Sequence, residues 1–214
     1  MSRLLFIIFL IPILSFSQDK SDYRVYSQLI EKQIEDWDSD WDEFSQLVIT
    51  DRLTCFSLDY DFKSFVEQAL SDDTLTSYFI VNNKDEIFKL LGDDEFRDLL
   101  TELTNDSISN TKLRASGFTL PIEIEIVKHN EIEKRFNAKN RKRFRYDRAW
   151  KRYYRDYPKT PGYFEISKIL ESKNYGLIYF IQRASPLTGN GRLMIYEKNS
   201  DSWDFVDDID LWFN

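Results

Sequence analysis

The chain has one cysteine, one histidine, six glycines and five prolines among 214 residues. A single cysteine excludes an internal disulfide. Cys55, set in LTCFS, reads as a small buried hydrophobe rather than a nucleophile. With so few nitrogen and sulfur ligands a zinc site cannot be assembled. His129 could belong to a catalytic triad only with a serine such as Ser167 or Ser185, and the chain has no G-x-S-x-G elbow. Gly189 and Gly191 form a lone G-x-G between two strand-like runs. A phosphate-cradling loop opens onto a helix instead, so these read as hairpin glycines. A calcium loop begun at Asp36 needs Gly at its sixth position and Glu at its twelfth, where this chain has Trp41 and Leu47. The acids of DWDSDWDE (Asp36, Asp38, Asp40, Asp42, Glu43) and the later Asp204, Asp207, Asp208 and Asp210 therefore read as solvated turns. No catalytic residue, metal or cofactor is expected. Carboxylate pairs suited to glycoside hydrolysis carry meaning only with geometry.

Long hydrophobic runs are also scarce. The longest, Leu4 to Leu14 (LLFIIFLIPIL), follows the basic Arg3 and precedes Ser15-Phe16-Ser17. This is the layout of a cleaved export signal, with processing expected between Ser17 and Gln18. Such a run is too short for a hydrocarbon core that needs about 20 residues. Residues 1–17 are read as signal peptide and 18–214 as one soluble domain without a membrane span, placed in the periplasm or outside the cell. With no disulfide available, stability must come from packing, for which 5 Trp, 12 Tyr and 17 Phe supply area.

Charge is abundant but unevenly placed. The whole chain carries a formal net charge of −8, yet Lys134 to Lys159 holds twelve Lys/Arg against only Asp147 and Asp156. The remainder is strongly acidic and repels nucleic acid and anionic lipid at long range. Within RKRFRYDRAWKRYYRDYPK (residues 141–159), Tyr146, Trp150, Tyr153 or Tyr154, and Tyr157 fall on one stripe of a helical wheel. Arg141, Lys142, Arg145, Arg148, Arg152 and Arg155 fall beside or opposite it. A nucleic-acid helix would present its rings and cations together. Segregated rings predict a helix laid ring-side-down on the core, specifically on the C-terminal strands, with arginine stems along the rim. If the helix also binds, the candidate residues are Arg141, Arg145, Arg148, Arg152 and Tyr154, facing a partner protein or an acidic glycan.

Apolar spacing of three and four predicts a helix over Asp22–Trp37. Leu47–Phe56 reads as a strand and Phe62–Leu70 as a short helix. Leu75–Leu91 is ambiguous, since SYFIV favours a strand and DEIFKLL a helix. Asp93–Leu103 and Asn130–Asn137 read as helices. Pro121–Val127 alternates Ile with Glu, predicting a strand buried on one face and wet on the other. Pro158 and Pro161 stop the basic helix, and the chain turns at Gly162. Tyr163–Ile169, Leu177–Arg183, Arg192–Lys198 and Trp203–Asp207 read as four strands joined by hairpins. Leu177 to Ile181 is apolar on both faces and should be central. The expected class is α+β, with helices packed on an antiparallel sheet that ends in a four-stranded meander.

The last third of the chain resembles a family of uncharacterised secreted bacterial proteins. The matching residues are Trp150, Tyr154 (displaced by one place), Tyr157-Pro158, Gly162, Ser167, Gly189, Gly191, Trp203 and Trp212, with YRVYSQLI near the N-terminus similar to the same group. The family has no established activity, so the resemblance implies export and architecture alone. The functional expectation is a non-enzymatic exported module that binds another envelope or extracellular protein or serves structurally, with nucleic acid disfavoured. The alternative is a hydrolase whose carboxylates meet in a cleft beside the sheet.

Overall fold

Val25, Leu29, Ile30 and Ile34 recur at helical spacing, and all are buried on helix α1, residues 22–35. The computed structural model describes residues 22–35, 41–53, 84–105, 112–136, 143–199 and 202–213. The expected leader with Ser17 and Gln18, Cys55, the Phe62–Leu70 helix and the SYFIV strand lie outside these residues, as do Arg141 and the side chains of Arg145 and Tyr146.

Strand β1 (Gln46–Thr50) is shorter than the run Leu47–Phe56 suggested. Asp51 marks its end: its amide still donates to the Val127 carbonyl at 2.8 Å, while its Oδ1 accepts the His129 amide at 2.8 Å and caps the helix that follows β2. Helix α2 (Lys84–Leu91) decides the second half of the ambiguous segment. Helix α3 (Asp94–Asn105) starts where Asp93 Oδ1 accepts the Glu95 amide at 2.8 Å. Strand β2 (Glu123–Val127) leads into helix α4 (His129–Phe136) and the basic helix α5 (Arg143–Asp156). Then come β3 (Tyr163–Ile166), the short β4 (Leu170–Glu171), β5 (Tyr175–Ser185), β6 (Thr188–Asn199) and β7 (Ser202–Phe213).

Among the described residues these strands form one mostly antiparallel seven-stranded sheet, ordered β2-β1-β3-β5-β6-β7 with β4 paired to β5. The expected α+β class and C-terminal meander are present. The antiparallel expectation needs one amendment: β1 lies between β2 and β3 and runs parallel to both. Each of these pairings spans a long crossover rather than a hairpin, as parallel strands require. The β5–β6 loop is tighter than expected, because Ser185 pairs with Thr188 and leaves only Pro186 and Leu187 in the turn. Irregularities in the β6–β7 register set Val206 and Leu211 apart from the pairing and let β7 continue well past Asp207.

Alternation along the strands assigns the layers. Ile178, Phe180, Met194 and Tyr196 meet α1 on one face, together with Leu47, Ile49, Phe164 and Ile166. Leu177, Tyr179, Ile181, Leu193 and Ile195 meet α2 and α3 on the other. Tyr163 pairs with Arg183, two residues from Ile181, so it shares that second face. There Val48, Val127 and Tyr163 receive α4 and α5. The central position of β5 follows: residues 177–181 are buried throughout. Ile122, Ile124 and Ile126 are only half-buried, because β2 borders the described sheet and little covers its outer side.

Candidate binding groove between α4 and α5

On α5 the rings point inward. Trp150 is 3% exposed and Tyr153 0%. Phe136, at the end of α4, sits 4.5 Å from Trp150 and 5.6 Å from Tyr163, and Trp150 stacks on Tyr163 at 5.9 Å. These rings join both helices to β3. The sheet that receives them is β1, β2 and the start of β3. Of the four-stranded C-terminal meander expected to receive them, the first strand does so through Tyr163, and β1 and β2 supply the rest. The reason is topological: β1 enters the sheet beside β3 and supplies Val48 as part of the platform.

With the ring stripe turned to the sheet, the flank of α5 carrying Arg148, Ala149, Arg152 and Asp156 faces α4, which presents Glu131, Lys134 and Arg135. Between the helices lies an open cavity of about 600 Å³. The small side chain of Ala149 leaves this space open. Four cations and two carboxylates line it, a local excess of positive charge in an acidic chain.

The charges are not equivalent. Arg135 Nη1 lies 2.9 Å from Asp156 Oδ2, and its guanidinium stands over the rings of Tyr153 and Tyr157 at 5.9 and 5.7 Å. Arg155 meets the same carboxyl at 3.2 Å. Desolvation acts to raise the Asp156 pKa, but the bonds from Arg135 and Arg155 outweigh it and hold the carboxyl below the ordinary aspartate range. Glu131 faces Lys128 at 3.7 Å. Among the described residues, neither Lys134 nor Arg152 makes an ion pair.

Of the residues named from sequence, Arg148 and Arg152 line the groove. Tyr154 does not. It is half-buried, stacks on Trp150 at 5.7 Å and donates its hydroxyl to the Ala184 carbonyl, bracing α5 against the end of β5. Burial raises its pKa. The contribution of α4 was missed, although its Ile132/Phe136 stripe already placed Glu131, Lys134 and Arg135 on the flanks.

A second charged group lies nearby. The Glu165 carboxyl, on β3, is surrounded by His129, Arg183 and Glu133. Burial pushes its pKa up more strongly than His129 and Arg183 pull it down, and Glu133 adds to the rise. A raised carboxyl gives stability that is complete below the unfolded-state value of about 4.5 and is lost as pH climbs through the folded-state value. Glu165→Gln is therefore expected to stabilise the protein at pH 7, and the gain should shrink toward zero as pH falls to about 4. Urea melts at both pH values check this. An equal gain at the two pH values would remove the protonation argument.

The remaining candidates serve structure. The Ser167 hydroxyl accepts the Tyr179 amide at 2.8 Å and donates to the Lys168 carbonyl, while Ser185 Oγ accepts the Leu187 amide at 3.1 Å. Asp207, Asp208 and Asp210 are not the solvated turn residues expected; they are buried on β7. Arg192, across the ladder on β6, provides the countercharge, with Nε 2.6 Å from Asp210 Oδ1 and Nη1 3.6 Å from Asp208 Oδ2. Among the described residues no three His, Cys, Asp or Glu side chains converge as a metal cluster.

No known protein family, curated protein or solved structure matches the chain. The resemblance over residues 149–214 thus rests on its motif residues, several of which have visible local roles. Trp203 is one: its ring lies against Gly176, where an added Cβ would come within 2.8 Å of it.

Proposed function

We propose that the chain is an exported, non-catalytic binding module of the cell envelope or exterior, and that it holds a partner protein in the α4–α5 groove. The observation that carries this reading is the cavity of about 600 Å³ between α4 and α5, lined by Lys134, Arg135, Arg148 and Arg152. Its size falls in the range of about 300–1,000 Å³ typical of sites that enclose a ligand. A hydrolase would need one carboxyl kept protonated as an acid. In the groove, Asp156 is held ionised by two arginines, which suits anchoring rather than proton transfer, and Glu165, whose pKa burial raises, is not part of the lining.

The test pairs the mature domain with an Arg148→Glu/Arg152→Glu variant in capture from a cell-envelope fraction. Both side chains are exposed, so the variant should melt within about 1 kcal/mol of the parent. Salt-sensitive capture of a defined protein by the parent and its loss in the variant are expected. Equal capture by both would remove the groove from the function. Export is checked separately by N-terminal sequencing of the secreted chain, which should begin at Gln18.

A further inference from the structure

The groove does not have the charge pattern of a polyanion site. Glu131 and Asp156 share its lining with the four cations, so a ligand negative at every position would meet repulsion at both. Outside the groove the acidic surface of the chain opposes the continuation of any long anionic polymer. A short segment that alternates acid with neutral residues meets neither obstacle. Its backbone amides can donate to Glu131 and Asp156 while its carboxylates meet the cations.

Spacing narrows the choice further. Arg148 and Arg152 are four residues apart on α5, about 6 Å along a helix axis. In an extended peptide, side chains two residues apart point the same way about 6.5–7 Å apart. Planar guanidinium groups pair with carboxylates through two parallel hydrogen bonds, a match that a point-like ammonium does not provide. Arg152 makes no ion pair among the described residues, and Arg135 is held against Asp156 and two rings, which fixes one wall of the groove.

On these grounds, and resting on the reading of the groove as a protein-binding site, we infer that its occupant is an extended, acidic segment of a partner protein with carboxylates at alternating positions. One carboxylate meets Arg148 and the next meets Arg152.

Binding of labelled synthetic peptides to the full mature domain, followed by fluorescence anisotropy at about 0.15 M salt, tests this. A short peptide with aspartates at alternating positions should bind. A peptide of identical composition with its aspartates contiguous should bind several-fold more weakly. Arg152→Ala should weaken the alternating peptide roughly tenfold or more, and Arg152→Lys should recover only part of that loss, because the fork is gone. Far-UV circular dichroism and melting confirm that each variant is folded. Equal affinity for both peptides, or full recovery in Arg152→Lys, overturns the spacing and pairing. Tighter binding of a sulfated glycan fragment, abolished by Arg148→Glu/Arg152→Glu, overturns the peptide occupant while leaving the groove as the site. Peptide binding unchanged in that double variant overturns the groove itself, and absence of binding by either peptide overturns the inference.

Discussion

Tyr153→Ala is expected to lower stability by about 3–5 kcal/mol, the usual loss when a fully buried aromatic is truncated. Tyr153 is 0% exposed and lies at the centre of the aromatic platform. Its ring is 5.4 Å from Trp150, 5.0 Å from Tyr157, and 6.0 Å from both Phe136 and Tyr163. Aromatic pairs of this kind contribute about 0.5–1.5 kcal/mol each beyond the area they bury. Removing the ring opens a void facing Val48 and Val127, and it takes away one of the two rings beneath Arg135. Tyr153→Phe keeps the ring and drops only the hydroxyl, so it should cost about 1 kcal/mol or less. Urea unfolding of the two variants separates ring from hydroxyl. A loss below about 1 kcal/mol for Tyr153→Ala would mean that the rings of α5 do not hold it to the sheet.

The inward direction of those rings was legible because it depends on one helix alone. Trp150, Tyr153 and Tyr157 share a stripe whatever α5 packs against. The surface that receives the stripe was legible only in part: Tyr163 belongs to the first strand of the expected meander, whereas the share of β1 and β2 was not legible. Val48 on β1 and Tyr163 on β3 meet through a parallel pairing of strands more than a hundred residues apart, and nothing local encodes it. The meander was legible for the opposite reason, since short turns pair neighbours in sequence. The groove shows the same division. Arg148 and Arg152 could be named from the charge of α5, whereas Lys134, Arg135 and Glu131 enter only because α4 packs beside it. The buried acids of β7 misled in a related way. Asp208 and Asp210 look like surface residues until Arg192 is placed across the ladder, a partner set by register rather than by composition.

Gly162→Ala is the second change expected to have a large effect, here through backbone geometry. Gly162 joins α5 to β3 with φ at +102°, a conformation that a side chain strongly disfavours. An added Cβ would stand 2.1 Å from the Arg183 carbonyl oxygen and 2.8 Å from Ala184 Cα. Both are backbone atoms of β5, so no side-chain rotation relieves the contact. The Tyr163–Arg183 pairing would have to part at the point where the meander is joined to the β1–β3 half of the sheet. Gln182 Nε2 donates to the Pro161 carbonyl at 2.9 Å and Thr160 Oγ1 to the Gly162 carbonyl at 2.8 Å, so the turn cannot shift without breaking buried bonds. Local strain and overpacking each cost about 1–3 kcal/mol, and together they predict a loss of about 2–6 kcal/mol. Lys159 provides a control of opposite sign. It holds φ at +52° with a side chain present, and its backbone carbonyl accepts the Ser45 amide at 2.9 Å. Lys159→Gly keeps that bond, relieves the left-handed strain and should raise stability by about 1 kcal/mol. Thermal melts of both variants decide the matter. If both are neutral, the connection between α5 and β3 does not set the position of the helix, and the groove beside it would owe its shape to the aromatic platform alone.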